Sequence, residues 1–414
     1  MRRVVVTGMG AVTPFGVGAD VLWNSVKAGK NGISKVTRID VSEMPTKVAA
    51  EVKDFDPSLF IEKKELKRMD LFTQYAIVAA TLAYRQSGLK LDNEDPTKAG
   101  VIIGSGIGGL LTLEEQHKLL LERGPGRISP FFIPMMIANM ASGQLAIQFG
   151  FKGFNESVNT ACSSGTNAIG DAFRVIRDGR ADIMLAGGSE AAITPMAFAG
   201  FCAMKAMTTN PDPETAKRPF DKDRDGFVLG EGSGVVVLEE YERAKARGAS
   251  ILAEVAGYGC TDDAFHIVAP AEGGEGAARC MKLALDDAGV LPEDIGYINA
   301  HGTSTIYNDN YETNAIKQVF KSHAAALCVS SSKSMTGHLL GATGAVEAII
   351  TCCALIDRFL PPTINYRTPD PNCDLDYIPN TGRPADGVNC AISNTFGFGG
   401  HNATLVLKKP AKAV

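Results

Sequence analysis

Ser157-Val158-Asn159-Thr160-Ala161-Cys162-Ser163-Ser164-Gly165 is the stretch on which both the fold and the chemistry turn. A strand-like run precedes its small polar residues. After them Ala168, Ile169, Ala172, Phe173 and Ile176 recur at helical spacing until Gly179 offers a stop. Cys162 therefore sits at a strand-to-helix turn, where free backbone N–H groups and the positive helix end favour thiolate over thiol. That makes it a candidate nucleophile. The plain alternative is a small buried hydrophobe, which most of the chain's nine cysteines must be.

Outward from this stretch, the chain reads as a duplication. Val4 to Val6 followed by Thr7-Gly8-Met9-Gly10 resembles a buried strand and a glycine turn, and Ile251 to Val255 followed by Ala256-Gly257-Tyr258-Gly259 repeats it. Aligning Gly165 with Gly341 superposes Asp171 on Glu347 and Ala172 on Ala348, and places His338 on Cys162. Asp225-Gly226-Phe227 leads into Val235 to Leu238 much as Thr395 to Gly400 leads into Thr404 to Leu407. Two related α/β halves are expected, residues 1–248 and 249–414, packed on one another.

Composition narrows the class. At 414 residues, with 45% hydrophobic and 21% charged side chains, the chain reads as globular. Its net charge of −5 gives no reason to expect nucleic acid. The cysteines form no CxxC pair, so neither a zinc site nor a disulfide framework is indicated. Without a signal-peptide core or an unbroken apolar run of membrane length, a reducing cytoplasm and no membrane are expected.

Two motifs mislead. Gly104-Ser105-Gly106-Ile107-Gly108-Gly109 follows a strand and fits GxGxxG, but the βαβ context of a dinucleotide site is poor. A backbone-close turn beside a ligand channel fits better. Asp221-Lys222-Asp223-Arg224-Asp225-Gly226 opens like a calcium loop, yet Gly232 stands where the closing glutamate belongs. No metal is expected. Lys63, Lys64, Lys67 and Arg68 cluster in a helical segment, with Lys205 apart; they read as a solvated face or as a dock for an acidic protein.

Of six histidines, His301 in Asn-Ala-His-Gly-Thr-Ser-Thr and His338 in Thr-Gly-His-Leu-Leu sit among small residues and glycines. A histidine beside a cysteine serves as base or as donor to a developing oxyanion. Lys333 and Glu347 are placed to form a supporting ion pair. The loop Ser393 to Asn402 is glycine-rich with aromatic residues, suited to a gate and to oxyanion stabilisation through its N–H groups.

Cys162 in Asn-Thr-Ala-Cys-Ser-Ser-Gly, His301, Lys333 with His338 in Ser-Lys-Ser-Met-Thr-Gly-His, and Gly-Phe-Gly-Gly near the C-terminus together resemble the β-ketoacyl-acyl carrier protein synthases of the elongating type II kind. The resemblance spans essentially the whole chain. It implies the thiolase fold, an α/β arrangement of two duplicated halves in five αβαβα layers, and a homodimer. Cys162 would carry the acyl chain as a thioester. His301 and His338 would promote decarboxylation of malonyl-acyl carrier protein, and the enolate would extend the chain by two carbons. The N–H groups of Cys162 and Phe398 would form the oxyanion hole, and Phe398 would also gate. Lys333 and Glu347 match the supporting pair, and Thr303 and Thr305 the pantetheine-contacting hydroxyls. Ile107, Phe131 and Phe132 would line the acyl pocket. No cofactor is bound permanently; substrates ride on the phosphopantetheine of acyl carrier protein, whose acidity suits docking on Lys63, Lys64, Lys67, Arg68 and Lys205.

Neighbouring families are set apart by residues. Degradative thiolases carry a second cysteine where this chain has Gly-Phe-Gly-Gly-His-Asn, initiating synthases an asparagine in place of His338, and chain-length factors lack the nucleophile. The chain also departs from its own family: Val268 and Ala269 replace hydroxyl residues common there, and Ile306 replaces a proline.

Overall fold

The computed structural model describes residues 1–90 and 94–410. The first half contributes β1 (Val4–Thr13), β2 (Ala99–Gly104), β3 (Asn155–Val158), β4 (Ile183–Glu190) and β5 (Gly232–Glu240). The second contributes β6 (Ala253–Asp262), β7 (Tyr297–Asn299), β8 (Cys328–Ser330), β9 (Cys390–Gly397) and β10 (His401–Lys408). They follow one another across the sheet as β8-β7-β9-β10-β6-β1-β5-β4-β2-β3. Counted outward from the centre, each half runs first, fifth, fourth, second, third. Directions repeat too: β2 lies parallel to β3 and β4, and β7 to β8 and β9, while the inner pairs are antiparallel. The halves meet where their first strands pair, Val4 opposite Val255 and Val6 opposite Ala253.

Five helices complete the layers. α1 (Leu71–Ser87) covers the outer face of the first half, capped by the Asp70 carboxylate and ended by left-handed Gly88. α2 (Ser164–Arg177) lies centrally, α3 (Glu275–Ala288) covers the second half with α4 (Ile306–Phe320) beside it, and α5 (Thr343–Asp357) packs on α2. Both α2 and α5 touch strands of both halves, which gives the layer order αβαβα. The apolar stretch Leu340–Asp357 is long enough by composition to span a membrane, but 89% of it is buried in the protein.

The first strand runs straight through the expected glycine turn. Gly8 and Gly10 lie inside β1, and Gly257 and Gly259 inside β6, because an outer helix crosses each strand at those positions. A Cβ on Gly10 would lie 2.0 Å from the Ala79 carbonyl oxygen, and one on Gly259 2.1 Å from that of Cys280. Since backbone cannot yield as a side chain can, Gly10→Ala is expected to destabilise the fold by about 1–3 kcal/mol. Urea unfolding of the purified variant measures it.

The central helices correct the alignment read from sequence. Short 3-10 turns precede both, Ala161–Ser163 and Leu340–Ala342, and each opens on a left-handed residue, Ala161 at φ 50° and Leu340 at φ 47°. The equivalent of Gly165 is therefore Gly344, and that of Cys162 is Gly341. The packing agrees: a Cβ on Gly165 would approach Ala345 N to 2.9 Å, and one on Gly344 would approach Thr166 N to 2.8 Å. His338 does not superpose on Cys162. It belongs to the longer connection of the second half, residues 331–339 against residues 159–160.

Candidate active site

The C-terminal ends of parallel strands are where open α/β sheets present ligand-binding groups. Here β2, β3 and β4 deliver Gly106 and Ile107, Cys162, and Glu190. Strands β7, β8 and β9 deliver His301, Lys333 with His338, and Phe398. All of these but Glu190 and Lys333 line a cavity of about 490 Å3.

Cys162 is buried on the 3-10 turn, and its Sγ lies 3.1 Å from His338 Nε2. Burial pushes the thiol up to about 11, against the pull of the Lys333 charge and of the backbone N–H groups of Phe398 and of Cys162 itself. The thiolate expected from sequence at the helix end is overturned, because burial outweighs the groups that would favour it. The resting group is a thiol hydrogen-bonded to an imidazole, and the N–H groups facing it are poised for an oxyanion.

His338 Nδ1 is 3.0 Å from Thr343 Oγ1, which fixes the ring. His301 stands perpendicular to it, ring centres 5.5 Å apart. Its loop is anchored by Glu312, which accepts the N–H groups of His301 and Gly302 at 2.8 Å each. Burial, helped by the nearby Lys333 charge, holds both histidines well below their ordinary value, so both are neutral. The Nδ1 of His301 is buried without a hydrogen-bond partner among the described residues. Lys333 Nζ meets Glu347 Oε1 at 2.6 Å, both buried, and burial lifts Glu347 to about 7.

Thr303 and Thr305 line the cavity with their hydroxyls 2.8 Å apart, and Ile107, Phe398 and exposed Lys205 line it as well. Val268, Ala269 and Ile306 put apolar groups on the same wall. Phe131 and Phe132 lie outside this cavity, at the start of the helix Phe132–Met136. The Arg68 guanidinium stacks over the Phe131 ring at 4.8 Å. Lys63, Lys64, Lys67 and Arg68 are exposed on and just after the single-turn helix Lys63–Leu66.

The misleading glycine loop has a clear use. The N–H groups of Gly106 and Ile107 donate to the buried Glu190 carboxylate at 2.7 and 3.1 Å, and Gly341 N donates to it from the other half at 3.0 Å. A phosphate would find those donors taken. Glu190 went unnoticed in the sequence, although an acidic residue closing an apolar parallel strand is a signal for such a role. Lys217 and Glu312 were missed as well.

Two family models match the chain: the Beta-ketoacyl synthase N-terminal domain over residues 1–244 and the C-terminal domain over residues 252–367. A 3-oxoacyl-[acyl-carrier-protein] synthase 2 of Synechocystis sp. is 54% identical, covering 99% of this chain and 98% of that protein. One of Staphylococcus aureus is 53% identical over the same shares. Among solved structures, a type II polyketide ketosynthase in complex with its acyl-carrier protein superposes with a TM-score of 0.92 at 36% identity, covering 99% of this chain and 100% of that one. A β-ketoacyl synthase from Burkholderia phymatum gives 0.92 at 35% identity with the same coverage. With models matched in both halves and relatives of this identity along nearly its whole length, the chain belongs to the β-ketoacyl synthase family.

Proposed function

We propose that this elongating synthase carries out its decarboxylating Claisen condensation through Cys162, His301 and His338. The 3.1 Å contact between Cys162 Sγ and His338 Nε2, on a cavity that His301 shares, carries the reading. His338 takes the thiol proton as sulfur attacks the acyl thioester of acyl carrier protein. The carbon–sulfur bond to phosphopantetheine breaks, and the departing thiolate recovers the proton. Malonyl-acyl carrier protein then loses CO2, and the electron pair moves into an enolate whose oxygen accepts hydrogen bonds from His301 and His338. The enolate carbon attacks the Cys162 thioester, and the oxyanion is met by the N–H groups of Cys162 and Phe398. Collapse frees the Cys162 thiolate and 3-oxoacyl-acyl carrier protein, two carbons longer. Thr303 and Thr305 hold the pantetheine arm, Phe398 gates it, and Ile107 borders the acyl pocket. Lys333 and Glu347 steady the histidine site.

The halves 1–248 and 249–414 each supply part of this machinery, and no permanently bound cofactor is required. A homodimer fits the open edge of β3, where Asn155 and Glu156 are exposed. A cytoplasmic enzyme working without a membrane fits the soluble carrier.

Acyl carrier protein docks on Lys63, Lys64, Lys67, Arg68 and Lys205. Reversing Lys63 and Lys67 to glutamate is expected to raise KM for acyl-carrier about tenfold and to weaken its salt dependence. Turnover of acyl-pantetheine, which lacks the carrier, should stay unchanged, and steady-state kinetics with both substrates checks this. The central test is intact-mass spectrometry after incubation with hexanoyl- to palmitoyl-carrier, then malonyl-carrier. Acyl adducts on Cys162 that chase into 3-oxoacyl product support the mechanism, and absence of any adduct refutes it.

A further inference from the structure

Lys217 is wholly buried in the irregular segment between residues 208 and 231. Its ammonium donates to the backbone carbonyl of Thr303, and Asn365 Nδ2 donates to the Lys217 carbonyl at 3.2 Å. The same segment grips the next residue of that loop: Arg218 N donates to Ser304 Oγ and Gly226 N to Ser304 O, each at 3.0 Å. The loop needs holding. Gly302 and Ser304 on either side of Thr303 have φ of 38° and 67°, and a serine adopts that region only under restraint.

A buried ammonium is costly unless a carboxylate pairs with it. The carboxylates that act on Lys217 are Asp309, Glu347 and Asp225, and each is engaged elsewhere: with Arg224 at 3.7 Å, Lys333 at 2.6 Å and Arg218 at 3.5 Å. Glu312 is spent on the N–H groups of His301 and Gly302. Around the two histidines the charged and titratable groups are Lys217, Lys333, Glu347, Glu312, Asp309, Arg224, Asp225 and Cys162, with Lys205, Asp263, His266 and Tyr307 on the same cavity. Both ammonium groups disfavour protonation of His301 and of His338. Burial brings Lys217 down to about 7, so its charge is present on the acid side of neutrality, where it adds to the burial that already holds both histidines low.

The chemistry gives that charge a purpose. A neutral imidazole donates a hydrogen bond to the enolate and keeps its proton. An imidazolium is acidic enough to hand the proton to the enolate carbon, which ends as acetyl-carrier without condensing. We propose that Lys217 is a positioning residue of the condensation: it fixes the His301–Thr305 loop through the Thr303 carbonyl and so holds a buried ammonium two residues from His301, a setting in which the enolate condenses rather than takes up a proton. This rests on the histidine roles proposed above.

The test uses the full chain with Lys217→Gln, which keeps a donor without the charge, and Lys217→Met, which removes both. Melting, Cys162 acylation, and the pH dependence of condensation and of the acetyl-carrier share are measured between pH 5 and 9. At saturating acyl-carrier both variants are expected to acylate Cys162 at near the unmodified rate, with KM for acyl-carrier raised because Thr303 also meets its pantetheine arm. The acid limb of condensation should move upward by about half to one pH unit, with the acetyl share rising severalfold below neutrality. KM for malonyl-carrier should rise more in the methionine variant than in the glutamine one. If Lys217→Gln melts normally and reproduces the unmodified profile and product ratio, the proposal falls. It falls equally if acylation and condensation drop together at every pH, or if neither variant folds, since Lys217 is then part of the scaffold alone. An unmodified enzyme that forms no acyl adduct would instead overturn the reading of the site itself.

Discussion

Cys162→Ala is expected to abolish acyl-enzyme formation and to lower condensation by at least about a thousandfold, with little change in melting. The loss should be nearly complete because the neighbouring hydroxyls cannot stand in. Ser163 Oγ donates to the carbonyls of Thr395 and His401 at 3.1 and 2.8 Å, and Ser164 Oγ to that of Ala161 at 2.7 Å. Both are spent on holding the turn. Removing one buried sulfur leaves only a small cavity, so a variant that melts normally but carries no adduct isolates the chemistry from the fold. Intact mass after incubation with acyl-carrier, alongside product formation from malonyl-carrier, decides it. An alanine variant retaining a tenth of the turnover would place the nucleophile elsewhere.

Lys333→Met should produce the largest loss of stability, about 3–5 kcal/mol, because it strands the buried Glu347 carboxylate. The pH dependence carries the sign. Burial already lifts Glu347 to about 7, above its unfolded value, so the native state binds more protons than the unfolded chain between the two. Stability from this group is full below the unfolded value and is lost as pH rises through the folded one. Without Lys333 the folded value climbs further, so the variant should lose most stability above neutrality and least in mild acid. Denaturant unfolding at several pH values measures this, and Lys333→Met combined with Glu347→Leu should recover most of the loss. Equal destabilisation at all pH values would show that Glu347 bears no charge in the native protein. Loss of the Lys333 charge also removes a force lowering the Cys162 thiol, so acylation should slow.

What was legible in sequence was what neighbouring residues encode. Cys162 before a helical pattern, His301 and His338 among glycines, and Lys333 with Glu347 are local signals, and the structure gathers all five around one cavity or its supporting pair. Position along a helix was harder to fix: apolar residues recurring every three or four places let the alignment of α2 on α5 slip by about one turn. The glycines of β1 and β6 read as turns because the helix that needs their missing side chains lies far away in sequence. Lys217 was invisible for the same reason. A lysine between Ala216 and Arg218 reads as a solvated charge until residues 303 and 365 close over it.

The two matched turns have a consequence for how many nucleophiles one chain can hold. The counterpart of Cys162 is Gly341, and a Cβ there would lie 2.4 Å from Gly106 N and 2.8 Å from a Glu190 carboxylate oxygen. The carboxylate that steadies the acyl-pocket loop occupies the volume a second thiol would need. The duplication is therefore functionally lopsided: one half was left room for a reactive group, and the other was filled to support it. A twin catalyst cannot be made by a single substitution at Gly341, because Glu190 and the loop it binds would have to be rebuilt first.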